Sequence, residues 1–238
     1  IYVSDSYENF LYSAGLSIIF DLLFGLVINT VMPVFGITTP LSPVNLQISY
    51  SAIILVLAAG ILVTGRVPVI TLSRPNLSRM EKIVLIFGLI MLICCETGIY
   101  LRNAEITISV LVFSILLIIG LLLICIRYQK YSLKRIYPVI LFLISFSLLL
   151  IVSLRSNYII GDDVNEEYYL FFSTLTNMVW VPDSTLLLNS ALSISILPTI
   201  FENFLFINPQ ILYKLLFPLL SIILPLIIYA TVKKYFSD

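Results

Sequence analysis

This sequence predicts an all-α polytopic membrane protein with six transmembrane helices, and three observations carry the prediction. Hydrophobic residues make up 60% of the 238 positions and charged residues 11%, and the mean hydropathy is +1.10. Soluble domains sit near half apolar and one quarter charged. Apolar runs near the roughly 20 residues that a helix needs to cross a hydrocarbon core recur along the chain. They are continuous rather than alternating, which favours helices over the strands of a barrel. Finally, Lys and Arg are concentrated in a few connectors. The formal net charge is zero, so the placement of the charges carries more information than their sum.

The first run, near 11–34, is too long for a signal-peptide core and follows "SDSYENF" rather than a basic segment. The chain begins with Ile1 instead of Met, which reads as a fragment of something longer. The second run, 48–65, follows "GITTPLSPVNLQIS". The third and fourth, 83–100 and 106–126, are separated by a short link with Arg102 and Glu105. The fifth, 136–154, is the uncharged "IYPVILFLISFSLLLIVSL", and the sixth, 211–232, contains Pro218 and Pro225, which are expected to kink it.

Orientation follows from the basic residues. Arg66, Arg74, Arg79 and Lys82 lie between the second and third runs, Arg127, Lys130, Lys134 and Arg135 between the fourth and fifth, and Lys233 and Lys234 after the sixth. Six helices threaded alternately put all three segments on one side, which the positive-inside rule names the cytoplasm. Both ends then face the cytoplasm, and the long connector 156–210, acidic and without Lys or Arg, faces outward across a cell membrane.

That connector opens with "RSNYIIGDDVNEEYYLFF", which places Asp162, Asp163, Glu166 and Glu167 at the mouth of an apolar run. Val164, Tyr168, Phe171, Leu175 and Val179 recur at spacings of three and four, the mark of an amphipathic helix. Asp163 and Glu167, four apart, share one side of it. Trp180 and Pro182 end it, and its aromatic residues suit the headgroup layer. The apolar "STLLLNSALSISILPTIFENFLFIN" that follows is interrupted by Ser, Asn, Pro198 and Glu202, and reads as interfacial or re-entrant. A structural role accounts for part of the acidic cluster, because Asp163 and Glu166 have the spacing of an N-cap pair and carboxylates are favourable near a helix N-terminus.

Cys94, Cys95 and Cys125 fall inside apolar runs and read as small buried hydrophobes. There is no histidine, which removes imidazole bases and most zinc sites and leaves carboxylates, hydroxyls or bound ions for any chemistry.

A membrane helix, an outward loop opening on an acidic motif, a Tyr-rich interfacial helix, an aromatic-Pro turn and a returning span together resemble the first luminal loop of the GT-C superfamily of glycosyltransferases. Within that pattern "GDDVNEEYY", Trp180 and "NSALSISILPTIF" resemble an archaeal family of uncharacterised multi-pass membrane proteins. "FLYSAGLSIIFDLLFGLVINTVMPVFG" resembles its preceding membrane module. The resemblance divides the chain into a four-span module, 1–135, and the start of a GT-C-like domain, 136–238. It implies sugar transfer at the outer leaflet from a polyprenyl-phosphate-linked donor. Asp163 would be the general base, or the ligand of a divalent metal where one is used, with Asp162 as the weaker choice and Glu167 as its support. The resemblance leaves Arg155 and Lys214, at the ends of the flanking runs, to the donor phosphate. The partners it implies are membrane lipid and the lipid-linked donor, with no nucleic acid.

The same sequence leaves a second class open. Asp21 and Glu96 lie within apolar runs, where an acid is costly and marks an ion or proton path by default. A transporter or lipid flippase would use them and treat the acidic loop as a cap. A membrane scaffold without chemistry is the third class.

Overall fold

A computed structural model describes residues 6–65, 77–127, 136–182 and 187–236. Helices account for its regular structure: α1 (Ser6–Val31), α2 (Pro43–Thr64), α3 (Arg79–Asn103), α4 (Ser109–Arg127), α5 (Tyr137–Ser153), α6 (Asp162–Asn177), α7 (Leu192–Leu205), α8 (Pro209–Ser221) and α9 (Ile223–Phe236). No strand occurs among the described residues. The basic residues Arg66, Arg74, Lys130, Lys134 and Arg135 lie outside them.

The protein is a multi-pass membrane protein. Five helical stretches are long and apolar enough to cross a bilayer: Glu8–Phe35, Pro43–Thr64, Arg79–Asn103, Ser109–Arg127 and Pro209–Tyr235. The remaining expected span is α5, a shorter apolar helix of 17 residues. At 1.5 Å per residue it rises about 25 Å, against a hydrocarbon core of about 30 Å. The last stretch is interrupted at Ile222 between α8 and α9. Pro225 cannot donate to the carbonyl of Ser221, so the hydrogen-bond ladder loses a rung where the two helices meet.

The chain forms two units, neither continuous in sequence: 1–14, 75–158 and 214–238 in the first, 15–74 and 159–213 in the second. In the first unit α3, α4 and α5 pack around Val84, Met91, Cys95, Ile118, Leu121, Ile140 and Leu143. Small residues set the spacing of this bundle. Gly98 of α3 lies against the backbone of Leu111 on α4, and Cys95, Ser114 and Ser147 are all buried, the small side chains that let membrane helices approach closely. The two serine hydroxyls donate back to the carbonyls of Val110 and Leu143, each at 2.8 Å, so neither is left unsatisfied. A second patch joins Leu11 at the start of α1 to Ile222 and Leu226.

In the second unit the core is Ile28, Leu41, Leu46, Ile196 and Ile200. Its most enclosed element is α7, with Ile194 to Ile200 all buried. Ser195, Thr199 and Asn203 of this segment face inward. Asn203 donates to the carbonyl of Leu41 at 2.8 Å. A further clamp joins α1 to the end of α6, where the Asn29 amide donates to the carbonyl of Trp180 and accepts from its backbone N–H, both at 2.8 Å. Trp180 is thus half-buried and tied to the protein.

Candidate functional site

The acidic motif opens α6, but not with the expected cap. Gly161 is the N-cap, at φ 117° and ψ 136°, and no side chain caps the helix. Glycine is suited to that left-handed backbone. The Asn165 N–H bonds to the Gly161 carbonyl at 2.9 Å. Asp162 and Asp163 therefore fall in the first turn, and the anticipated Asp163–Glu166 capping pair does not form. Both aspartates and Glu166 are exposed, and among the described residues none of the three carboxylates has a hydrogen-bond or ion-pair partner. What remains of the structural reading is the favourable position of negative charge at a helix start, worth about 0.3–1 kcal/mol per group.

Glu167, one turn on, is in a different environment. It is half-buried, and its Oε2 accepts a hydrogen bond from the hydroxyl of Tyr213 on α8 at 3.0 Å. Tyr213 is only 3% exposed. Its ring stacks on Phe171 at 5.7 Å and 17°, and meets the edge of Tyr168 at 5.4 Å and 77°. Burial pushes the Tyr168 phenol above its ordinary value, so it stays protonated near neutrality. The face of α6 turned inward carries Leu170, Phe171 and Thr174, and Glu167 lies at the head of that face. The arrangement is three exposed carboxylates at the helix start, followed by a fourth held in place by a buried phenol.

The two cations expected at the flanking helix ends belong to the first unit. There three consecutive carbonyls after α5 each meet a side-chain donor: Leu154 from Asn103 at 2.8 Å, Arg155 from Arg102 at 3.1 Å, and Ser156 from Lys214 Nζ at 2.7 Å. Lys214 is 9% exposed, a buried clamp on the end of α5. A fourth bond explains why it sits there. Pro218 has no N–H to offer the carbonyl of Lys214 four residues earlier, and the hydroxyl of Ser153 donates to that carbonyl instead. The Arg155 side chain is exposed.

Of the two intramembrane acids, Asp21 has a partner, the hydroxyl of Tyr50 at 2.9 Å. Tyr50 is in turn ringed by Phe20, Phe24 and Phe204. Glu96 is exposed on α3 and is not paired with Arg102, whose guanidinium is turned to the end of α5. The cysteines are free, with Cys95 buried. Among the described residues no three of His, Cys, Asp and Glu come together as a metal site.

Sequence reading placed the acidic cluster on a helix start and missed Tyr213, Tyr50, Asn29 and Asn203. Each acts across a long sequence separation, 46 residues for Tyr213 and Glu167 and 151 for Asn29 and Trp180, and no local spacing announces such a pair. In comparisons with protein-family models, with curated proteins and with solved structures, nothing matches this chain.

Proposed function

We propose that the protein is a membrane glycosyltransferase of the GT-C kind, moving a sugar from a polyprenyl-phosphate-linked donor to an acceptor at the outer face of a cell membrane. The observation that supports this reading is the start of α6. Asp162 and Asp163 stand exposed in its first turn without being used as caps, nine and ten residues after the last residue of an apolar helix, Ser153. An acceptor hydroxyl is a weak nucleophile unless its proton is taken as the new bond forms. In this reading Asp163 takes that proton, the acceptor oxygen bonds to the anomeric carbon, and the bond to the donor breaks with its electron pair leaving on polyprenyl phosphate. Asp162 is the alternate base. Glu167, held by Tyr213, keeps a fixed acceptor for hydrogen bonds one turn away. The resemblance assigns the donor phosphate to Arg155 and Lys214. Lys214 gives one donor to Ser156 and, as an ammonium, has two more. The proposed orientation has both ends on the cytoplasmic side and 156–210 outside. A divalent metal, where one is used, would draw on Asp163.

The transporter reading is favoured by one observation, the intramembrane Asp21 bonded to Tyr50. One experiment separates the two. With a polyprenyl-phosphate-linked sugar supplied to membranes containing the protein, Asp163→Asn is expected to lower transfer by ~10² to 10⁴, the loss typical of a missing general base. Insertion should be unchanged, because the substitution removes one first-turn charge worth under about 1 kcal/mol. Transfer at the unsubstituted rate removes Asp163 from the mechanism and leaves the base to Asp162, whereas no transfer by the unsubstituted protein leaves the reading with Asp21.

A further inference from the structure

The start of α1 and the end of α9, both in the first unit, enclose a cavity of about 240 Å³. Glu8 and Tyr12 line it from α1, one turn apart, with Leu11 beside them. From α9 it is lined by Ile227, Thr231 and Lys234. That volume is below the roughly 300–1,000 Å³ of drug-sized ligand sites and suits a small polar group rather than a whole amphiphile.

The charges are opposite and do not cancel each other. Glu8 and Lys234 face the same cavity, yet among the described residues no ion pair joins them. The Lys234 ammonium lies 5.8 Å from the centroid of the Tyr235 ring instead. A lone phosphate in this space meets the Glu8 carboxylate, and a lone amine meets Lys234. A ligand bearing both charges satisfies both walls, ammonium to Glu8 and phosphate to Lys234, with the hydroxyls of Tyr12 and Thr231 able to bond either.

Polarity also changes with depth. α1 runs inward from Glu8 to Leu11, while α9 runs outward from Ile227 to Lys234, a rise of about 10 Å over seven residues. Both helices therefore place their charged residue at the membrane boundary and their apolar residue deeper. Beneath lies the patch of Leu11, Ile222 and Leu226. A polar mouth above an apolar floor at the edge of a bilayer matches a lipid, not a soluble zwitterion.

We propose that this groove between the start of α1 and the end of α9 binds the headgroup of a membrane lipid that carries both an ammonium and a phosphate.

The test uses the whole chain in nanodiscs made from equal amounts of phosphatidylethanolamine and the anionic phosphatidylglycerol, with retained lipid counted by native mass spectrometry. One phosphatidylethanolamine is expected to be held in preference to phosphatidylglycerol, and losing either charge-assisted contact, in Glu8→Gln or Lys234→Gln, should reduce that retention roughly tenfold. Arg127→Gln, a charge removed at the end of α4, should leave the preference intact. Equal retention of the two lipids, a preference that survives both single substitutions, or its loss in Arg127→Gln would overturn the site. Soluble phosphoethanolamine at matched concentration should fail to displace the lipid, and displacement would overturn the assignment to a lipid.

Discussion

At the scale of residues, the bond between Tyr213 and Glu167 is the interaction that gives the acidic helix a fixed side chain. Tyr213→Phe removes the hydroxyl and keeps the ring stacked on Phe171. A hydrogen bond to a carboxylate contributes about 1.5–3 kcal/mol, and because Glu167 is half-exposed the loss should fall at the lower end, measured by thermal unfolding in detergent. The double variant with Glu167→Gln isolates the pair. Effects that add within about 0.5 kcal/mol mean that the two side chains do not interact. The carboxylates themselves were legible in the sequence, because four acids in six positions beside an uncharged run are conspicuous against this composition. Their capping role was misread. Asp163 and Glu166 have the spacing of a capping box, but the chain turns into the helix two residues before Asp163, at Gly161, whose positive φ frees both aspartates from that task.

At the scale of elements, the crossing of α3 and α4 rests on a missing side chain. A Cβ on Gly98 would lie 2.7 Å from the Leu111 nitrogen and 2.8 Å from its Cα. Backbone cannot rotate aside, so Gly98→Ala must push the helices apart. Gly88 offers the comparison, since a Cβ there would meet a terminal methyl of Leu143 at 2.8 Å, and a leucine can change rotamer. Gly98→Ala is expected to destabilise by about 1–3 kcal/mol, the range of overpacked sites, and Gly88→Ala by distinctly less, read as the difference in melting temperature. Equal effects would mean that the α3–α4 contact is not set at Gly98. Long uncharged runs made the spans readable, and a strong apolar stripe made α6 readable. The place of α7 was not. Ser195, Thr199 and Asn203 recur every four residues, and in the fold all three are buried against protein. Periodicity gives the angle between faces and does not say whether the polar one meets water or protein.

At the scale of the whole molecule, the sidedness of every loop depends on α5. Five stretches are long and apolar enough to cross, and five crossings would put the two ends of the chain on opposite sides. Adding α5 makes six and returns both ends to one side. Its 17 residues fall short of the core by about 5 Å on a rise of 1.5 Å each, a mismatch that bilayers absorb by local thinning at a fraction of a kcal/mol per Å. The alternative is worse. Ile136 to Leu154 contains no charged residue, and leaving such a stretch out of the hydrocarbon exposes its apolar surface to water at about 25 cal/mol per Å². α5 should therefore cross. Neither α6, with four acids in or beside its first two turns, nor α7, with 14 residues, adds a crossing. With Cys94, Cys95 and Cys125 replaced by Ala, single cysteines at Ser132, which lies outside the described residues, and at Ser173 on α6 should react with an impermeant thiol reagent from opposite sides of a sealed vesicle. Reaction of both from the same side would show that α5 does not cross. It would then place the acidic helix on the face of the basic connectors, where an outer-leaflet sugar transfer could not occur.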